Sequence, residues 1–293
     1  MSLVLNIYSA KDSKTTAKDL QAFLNVQPHF RPEQNGEYVY ENENTGVYFV
    51  VGNEPVERPA SGLRSLEKAF IVNYGRAEFF VLEAFPVIAD ICNKLGLLVD
   101  NEQEGKPRKV NAAQLHKEWL HTNDSFLREM AQKHDSEETG AAYMPRKASN
   151  ELWRFLVGKE ALQDKMVAEE KDVYVAQPLF FRDREYKVVT AVAWPAAIPI
   201  VIPPHTDFLL LMTDTQKRLF RATGPKPIGY VTMSHLLELA GGSFVRHKDG
   251  SLELSQAEAD RIRGKVMAMQ PDIGANQSPG KPLSQDHVID VKA

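Results

Sequence analysis

The most apolar stretch of the chain, residues 188–211, is interrupted by Pro195, Pro199, Pro203, Pro204, His205 and Asp207. A membrane-spanning helix needs about 20 predominantly apolar residues in a row, and each internal proline removes a backbone donor and collides with the preceding turn. The stretch is therefore expected to fold as strands of a soluble sheet, with no membrane segment. Flanking residues agree, because 173–181, 186–194, 198–202 and 208–213 are short, β-branched or aromatic runs separated by turn formers. The near-continuous apolar run 208–212 predicts a central strand covered on both faces.

Helices and a hairpin should pack against this sheet. Residues 233–240 read as a helix ending at Gly241 and Gly242, a pair suited to a left-handed cap. Asp249 and Gly250 mark a hairpin between 243–246 and 251–254. Ser255 with Glu258 forms a capping box ahead of a helix running to Met269. Beyond Gln270 the chain is rich in Pro, Gly, Ser, Asn and Gln, too polar to offset the entropy of ordering, so 271–293 is expected to be a flexible tail.

Toward the amino terminus the pattern is mixed. A strand over 3–8 precedes a helix that buries Ala17, Leu20, Phe23 and Leu24, with Ser13 or Thr15 as cap. Strands follow over 38–40, 47–51 and 69–74, then a helix over 79–95 stopped by Gly96, then a strand over 97–100. Pro86 predicts that the regular helix starts near Ala84 or bends there. After a polar stretch at 102–109, Asn111 and Gln114 cap a helix striped with Leu115, Trp119, Leu120, Leu127 and Met130, and a second helix starts near Ser149 with Gly158 as a breaking point. The expected class is α+β in two domains, with an amino-terminal split-βαβ-like sandwich and a carboxy-terminal, mainly antiparallel sheet packed with helices. The expected division is an acidic domain 1–104, a helical connecting segment 105–170, a sheet domain 171–270 and the tail 271–293.

Charge is unevenly distributed. Residues 1–105 hold nine Lys and Arg against fifteen Asp and Glu, a net of −6, while the whole chain is at −4. Between Glu33 and Glu57 there is no Lys or Arg. Strand alternation puts Tyr38 and Tyr40 on one face and Glu37 and Glu41 on the other. With Glu43, Glu54 and Glu57 these residues form a candidate binding face for a basic protein partner, and one sign of charge argues against nucleic acid there. The same glutamates would also serve solubility alone.

Sequence signals for chemistry are sparse. His116 and His121 flank Glu118 at a spacing of five, which places them about 140° apart on a helix, so no metal site is expected from them. The single Cys92 excludes an internal disulfide and a cysteine zinc site, reads as a buried inert thiol, and fits a reducing compartment. Residues 1–8 lack the basic region of a signal peptide, which points to the cytoplasm. The segment from Gly274 to Lys281 departs from a phosphate loop, with five residues between Gly274 and Gly280 and Pro282 where a hydroxyl is needed. No nucleotide or cofactor motif is present. Arg76, beside Tyr74, Glu78 and Glu83 at a strand-to-helix crossing, is a candidate anion site. Arg182, Asp183 and Arg184 with His205 and Asp207 are candidate catalytic residues at turns of the second sheet. The favoured expectation is a protein-binding module, of which an immunity or antitoxin-like inhibitor is one form. The alternative is an enzyme with a polar cleft between the domains, lined by Arg76, Glu78, Arg182, His205 and Asp207.

Overall fold

The computed structural model describes residues 1–55, 62–101, 106–132, 140–213, 216–218 and 221–291. The chain divides into two compact units, Met1–Asp135 with Ile289–Ala293, and Ser136–Val288. Both contain helices and sheet, so the class is α+β. Among the described residues no helix is long and apolar enough to cross a membrane.

The first unit is built from β1 (Ser2–Ala10), α1 (Ala17–Leu24), β2 (Phe30–Pro32), β3 (Tyr38–Asn42), β4 (Val47–Asn53), β5 (Leu63–Asn73), α2 (Phe79–Leu95), β6 (Leu98–Asn101) and α3 (Ala112–Gln132). Its sheet runs β2-β3-β4-β5-β1-β6, with every neighbouring pair antiparallel. Alternate residues of β3 and β4 turn Tyr38, Tyr40, Phe49 and Val51 inward, and Tyr40 stacks on Phe49 at 4.9 Å between ring centroids. Phe30 and Phe70 meet Phe49 edge-on.

Local capping explains the helix limits. Thr16, the residue after the expected Thr15, caps α1, because Asp19 at the third helical position accepts from the Thr16 amide and completes a capping box. α2 starts at Phe79, earlier than Pro86 suggested. Phe79, Phe80 and Val81 are all buried, which anchors the turn before the proline, while Pro86 itself faces solvent. Gly96, at φ 63, closes α2 in the left-handed region that favours glycine. α3 starts under the Asn111 side chain, which accepts from the Gln114 amide at 3.1 Å, and it belongs to the first unit rather than to a separate connection.

The second unit begins with β7 (Ala142–Tyr143) and α4 (Arg146–Ala168), which runs through Gly158 without a break. There follow β8 (Tyr174–Val175), β9 (Pro178–Arg182), β10 (Val188–Pro195), β11 (Ile200–Ile202), β12 (Phe208–Met212), a hairpin of β13 (Gln216–Arg218) and β14 (Arg221–Thr223), and β15 (Pro227–Thr232). After α5 (Met233–Ala240) come β16 (Val245–Arg246), β17 (Leu252–Leu254) and α6 (Gln256–Met267), which is capped by Ser255 as expected. The last elements are β18 (Ile273–Gly274), β19 (Lys281–Pro282) and β20 (Val288–Ile289), the last pairing with β7.

The larger sheet of this unit runs β18-β15-β12-β10-β9-β19, and β16-β17-β11-β8 forms a smaller one. β10 and β12 are parallel, because the chain leaves for β11 in the smaller sheet between them. Trp194, Ile202, Leu209, Leu211, Val231 and Leu254 fill the core, and α5 and α6 add Leu236 and Ile262.

Three expectations for this unit are corrected. β12 is central but not covered on both faces: Leu209 and Leu211 are fully buried, whereas Phe208, Leu210 and Met212 are half-buried. Gly241 stays right-handed at φ −54 and continues into a single 3₁₀ turn, so the Gly pair is not a left-handed cap. The expected flexible tail is ordered. β18 pairs with β15, β19 pairs with β9, Val288 is 1% exposed, and Asp290 is buried in the first unit. Main-chain pairing along sheet edges holds this segment, and composition carries no trace of it.

Candidate functional site

The acidic face is smaller than the run of glutamates implies. Tyr38 and Tyr40 are 6% and 4% exposed, and both point inward as alternation requires. Their hydroxyls are held by Asn25 at 3.0 Å and by Glu83 at 2.8 Å. Burial, followed by the charge of Glu83, drives the Tyr40 hydroxyl well above the usual tyrosine range, which fixes it as a neutral donor. The same Glu83 oxygen accepts from Asn42 at 2.8 Å.

On the outward side of β3, Glu41 is exposed, but Arg31 on the adjacent β2 reaches it at 3.2 Å and also pairs with Glu33. Glu37 accepts from the Asn53 amide at 3.3 Å beside the buried Lys68, whose ammonium bonds the Gly36 carbonyl at 2.7 Å. Burial holds the Lys68 pKa below the usual lysine range, and the charge of Glu37 acts in the opposite direction. Glu43 is exposed in the turn after β3, Glu54 is half-buried, and Glu57 lies outside the described residues. Beside Glu41, four directly paired residues on neighbouring strands, Val39, Val50, Ile71 and Val4, form a half-buried apolar row on the outward side.

The expected cluster around Arg76 is resolved into separate networks. Arg76 bonds the Tyr48 hydroxyl at 2.8 Å and lies within 6 Å of the Tyr48 and Phe80 rings. Tyr74 stacks on Trp119, and Glu78 accepts from the His116 ring at 2.8 Å. Asn123, fully buried on α3, accepts from the Gly75 amide at 2.7 Å and donates to the Arg76 carbonyl at 2.9 Å, which fixes the turn into α2. The start of α2 does hold an anion, but it is the chain's own: the Glu78 amide donates to the Asp290 carboxylate at 2.8 Å. His116 and Glu118 turn to different partners, Glu78 and Arg108.

The candidate catalytic residues of the second unit also part company. His205 meets Glu151 at 2.7 Å rather than Asp207. Asp207 accepts from the amide and hydroxyl of Thr190, at 2.8 and 3.2 Å, and so ties the start of β12 to β10. Burial raises the Asp207 carboxyl above the usual range, and the Thr190 bonds act against that rise. Arg182 and Arg184 instead line a cleft with residues 278–281, the segment set aside as a failed phosphate loop. Comparison with protein-family models, curated proteins and solved structures finds no match.

Proposed function

We propose that the chain is a cytoplasmic protein-binding module whose first unit receives a basic partner on the outward side of β3 and β4. The observation carrying this reading is the juxtaposition of exposed Glu41 and Glu43 with the apolar row of Val39, Val50, Ile71 and Val4. A cationic segment with apolar side chains complements both features, and charge of one sign speeds its encounter. Arg31 limits the field, so such a partner competes with it for Glu41. An immunity or antitoxin-like inhibitor, which occupies a basic cleft without chemistry of its own, is the specific form that suits this surface. The catalytic alternative rests on His205 and Asp207, whose bonds go to Glu151 and Thr190.

The test is affinity capture from native extract followed by association kinetics with the purified partner, comparing the wild type with a Glu41→Lys and Glu43→Lys double variant. A basic partner whose association slows with salt and slows further with the double variant supports the reading, since screening acts over about 10 Å at 0.1 M salt. A partner that binds the variant with unchanged rate and salt dependence removes the acidic face from the function.

A further inference from the structure

The turn between β9 and β10 and the segment leading into β19 come together through one close backbone approach. A Cβ built on Gly280 would lie 2.3 Å from the Arg182 carbonyl oxygen, so only glycine lets Lys281 pair with Arg182 at the sheet edge. Ser278 donates to the Gly280 carbonyl at 2.6 Å and shapes the chain just before this contact. Across from it, Asp183 folds the turn by accepting from the Glu185 and Lys187 amides, each at 2.8 Å. The turn also places Tyr186 at φ 59, in the left-handed region, with the Arg182 guanidinium 5.1 Å above its ring.

These elements border an open cleft of about 810 Å³. Its charged lining is Arg182, Arg184 and Lys281 against Asp183 alone, a surplus of two positive charges. Among the described residues neither Arg184 nor Lys281 makes a side-chain hydrogen bond or ion pair, although Lys187 nearby pairs with Glu185. Cations in excess of the one carboxylate on the lining define a site for an anion, and guanidinium groups bond phosphate oxygens in pairs. The volume falls within the roughly 300–1,000 Å³ of small-molecule sites and exceeds what a single inorganic phosphate fills.

We propose that this cleft binds a phosphorylated small molecule carrying at least two negative charges, with Arg182, Arg184 and Lys281 as its ligands. The site is independent of the acidic face of the first unit. Unlike a phosphate loop, it depends on side-chain cations rather than on backbone amides at a helix start.

Calorimetric titration of the full chain with inorganic pyrophosphate tests the proposal, with sulfate at matched ionic strength as the control for diffuse attraction. Vesicles of phosphatidylcholine containing a phosphoinositide form a second arm that separates lipid headgroups from soluble phosphates. Saturable binding of pyrophosphate at one site is expected, weakened about tenfold or more by Arg184→Ala or Lys281→Ala, as loss of one charge-assisted bond implies. Both side chains are exposed, so these variants should keep the wild-type circular dichroism and melting temperature. Gly280→Ala keeps every cation but forces the two segments apart, and it should also weaken binding. Absence of saturable binding up to about 10 mM pyrophosphate, equal binding of sulfate, binding to vesicles alone, or unchanged affinity in the Arg184 and Lys281 variants would each overturn it.

Discussion

Replacing Glu83 by Leu should destabilise the first unit far more than replacing it by Gln. Glu83 is 8% exposed on α2, and one of its oxygens accepts from both Tyr40 and Asn42 at 2.8 Å. Leucine would leave both buried donors without that acceptor, at about 1–3 kcal/mol each, so the loss should reach about 2–6 kcal/mol. Glutamine retains an acceptor oxygen and should lose less than half as much. Adding Tyr40→Phe to Glu83→Leu removes one orphaned donor and should restore part of the stability, although Tyr40→Phe alone destabilises. Cys92 supplies the assay. It is the only cysteine, it is buried on the same helix, and burial pushes its thiol up to about 12. Folded protein should therefore resist thiol labelling near neutral pH, and labelling across a urea gradient reports unfolding of this unit alone. With a slope of about 2 kcal/mol per M, the leucine variant should shift its midpoint by roughly 1–3 M. Equal midpoints for the leucine and glutamine variants, or a deeper loss on adding Tyr40→Phe, would refute the reasoning.

Leu209→Ala should cost about 2–5 kcal/mol and Leu210→Ala about half of that, because Leu209 is fully buried and Leu210 only half-buried; equal losses in urea denaturation would contradict the one-sided burial of β12. Deleting 271–293 removes two edge strands, Val288 and the Asp290 carboxylate, so the truncated chain should melt well below the full-length one, with a coincident melt as the contrary result. Burial raises Asp207 above its unfolded value, so its ionised form opposes folding and the group adds stability as pH falls through the folded value. Asp207→Asn should flatten that gain in melts taken between about pH 4 and 7, and an unaltered pH profile would show that the raised value contributes nothing.

Local signals carried much of the architecture. The end of α2 at Gly96, the Asn111 and Ser255 caps, the Asp249 hairpin and the alternation of Tyr38, Tyr40 and Glu41 all follow from patterns within a few residues. What escaped depends on partners distant in sequence. Arg31 reaches Glu41 only because β2 lies beside β3, although the stretch from Glu33 to Glu57 contains no cation. Pro86 predicted a start near Ala84 or a bend there, and the helix starts at Phe79, where buried Phe79 and Phe80 outweigh the missing donor. Gly280 reads as part of a polar tail, yet the Arg182 carbonyl lies against it. Arg182, Asp183 and Arg184 stand out as a charged turn in the sequence, but Lys281 lies in a segment that reads only as a failed phosphate loop, and nothing local shows that it shares a cleft with them.

The bond between the Glu78 amide and Asp290 spans 212 positions, and this sets an order on the birth of the protein. Synthesis at about 5–20 residues per second leaves α2 waiting roughly 10–40 s for that carboxylate. In that interval the whole second unit emerges, while the first unit holds its sheet with the leading end of one helix open. Ribosome-bound chains should therefore show an early, incomplete form of the first unit, closed only once Asp290 has emerged.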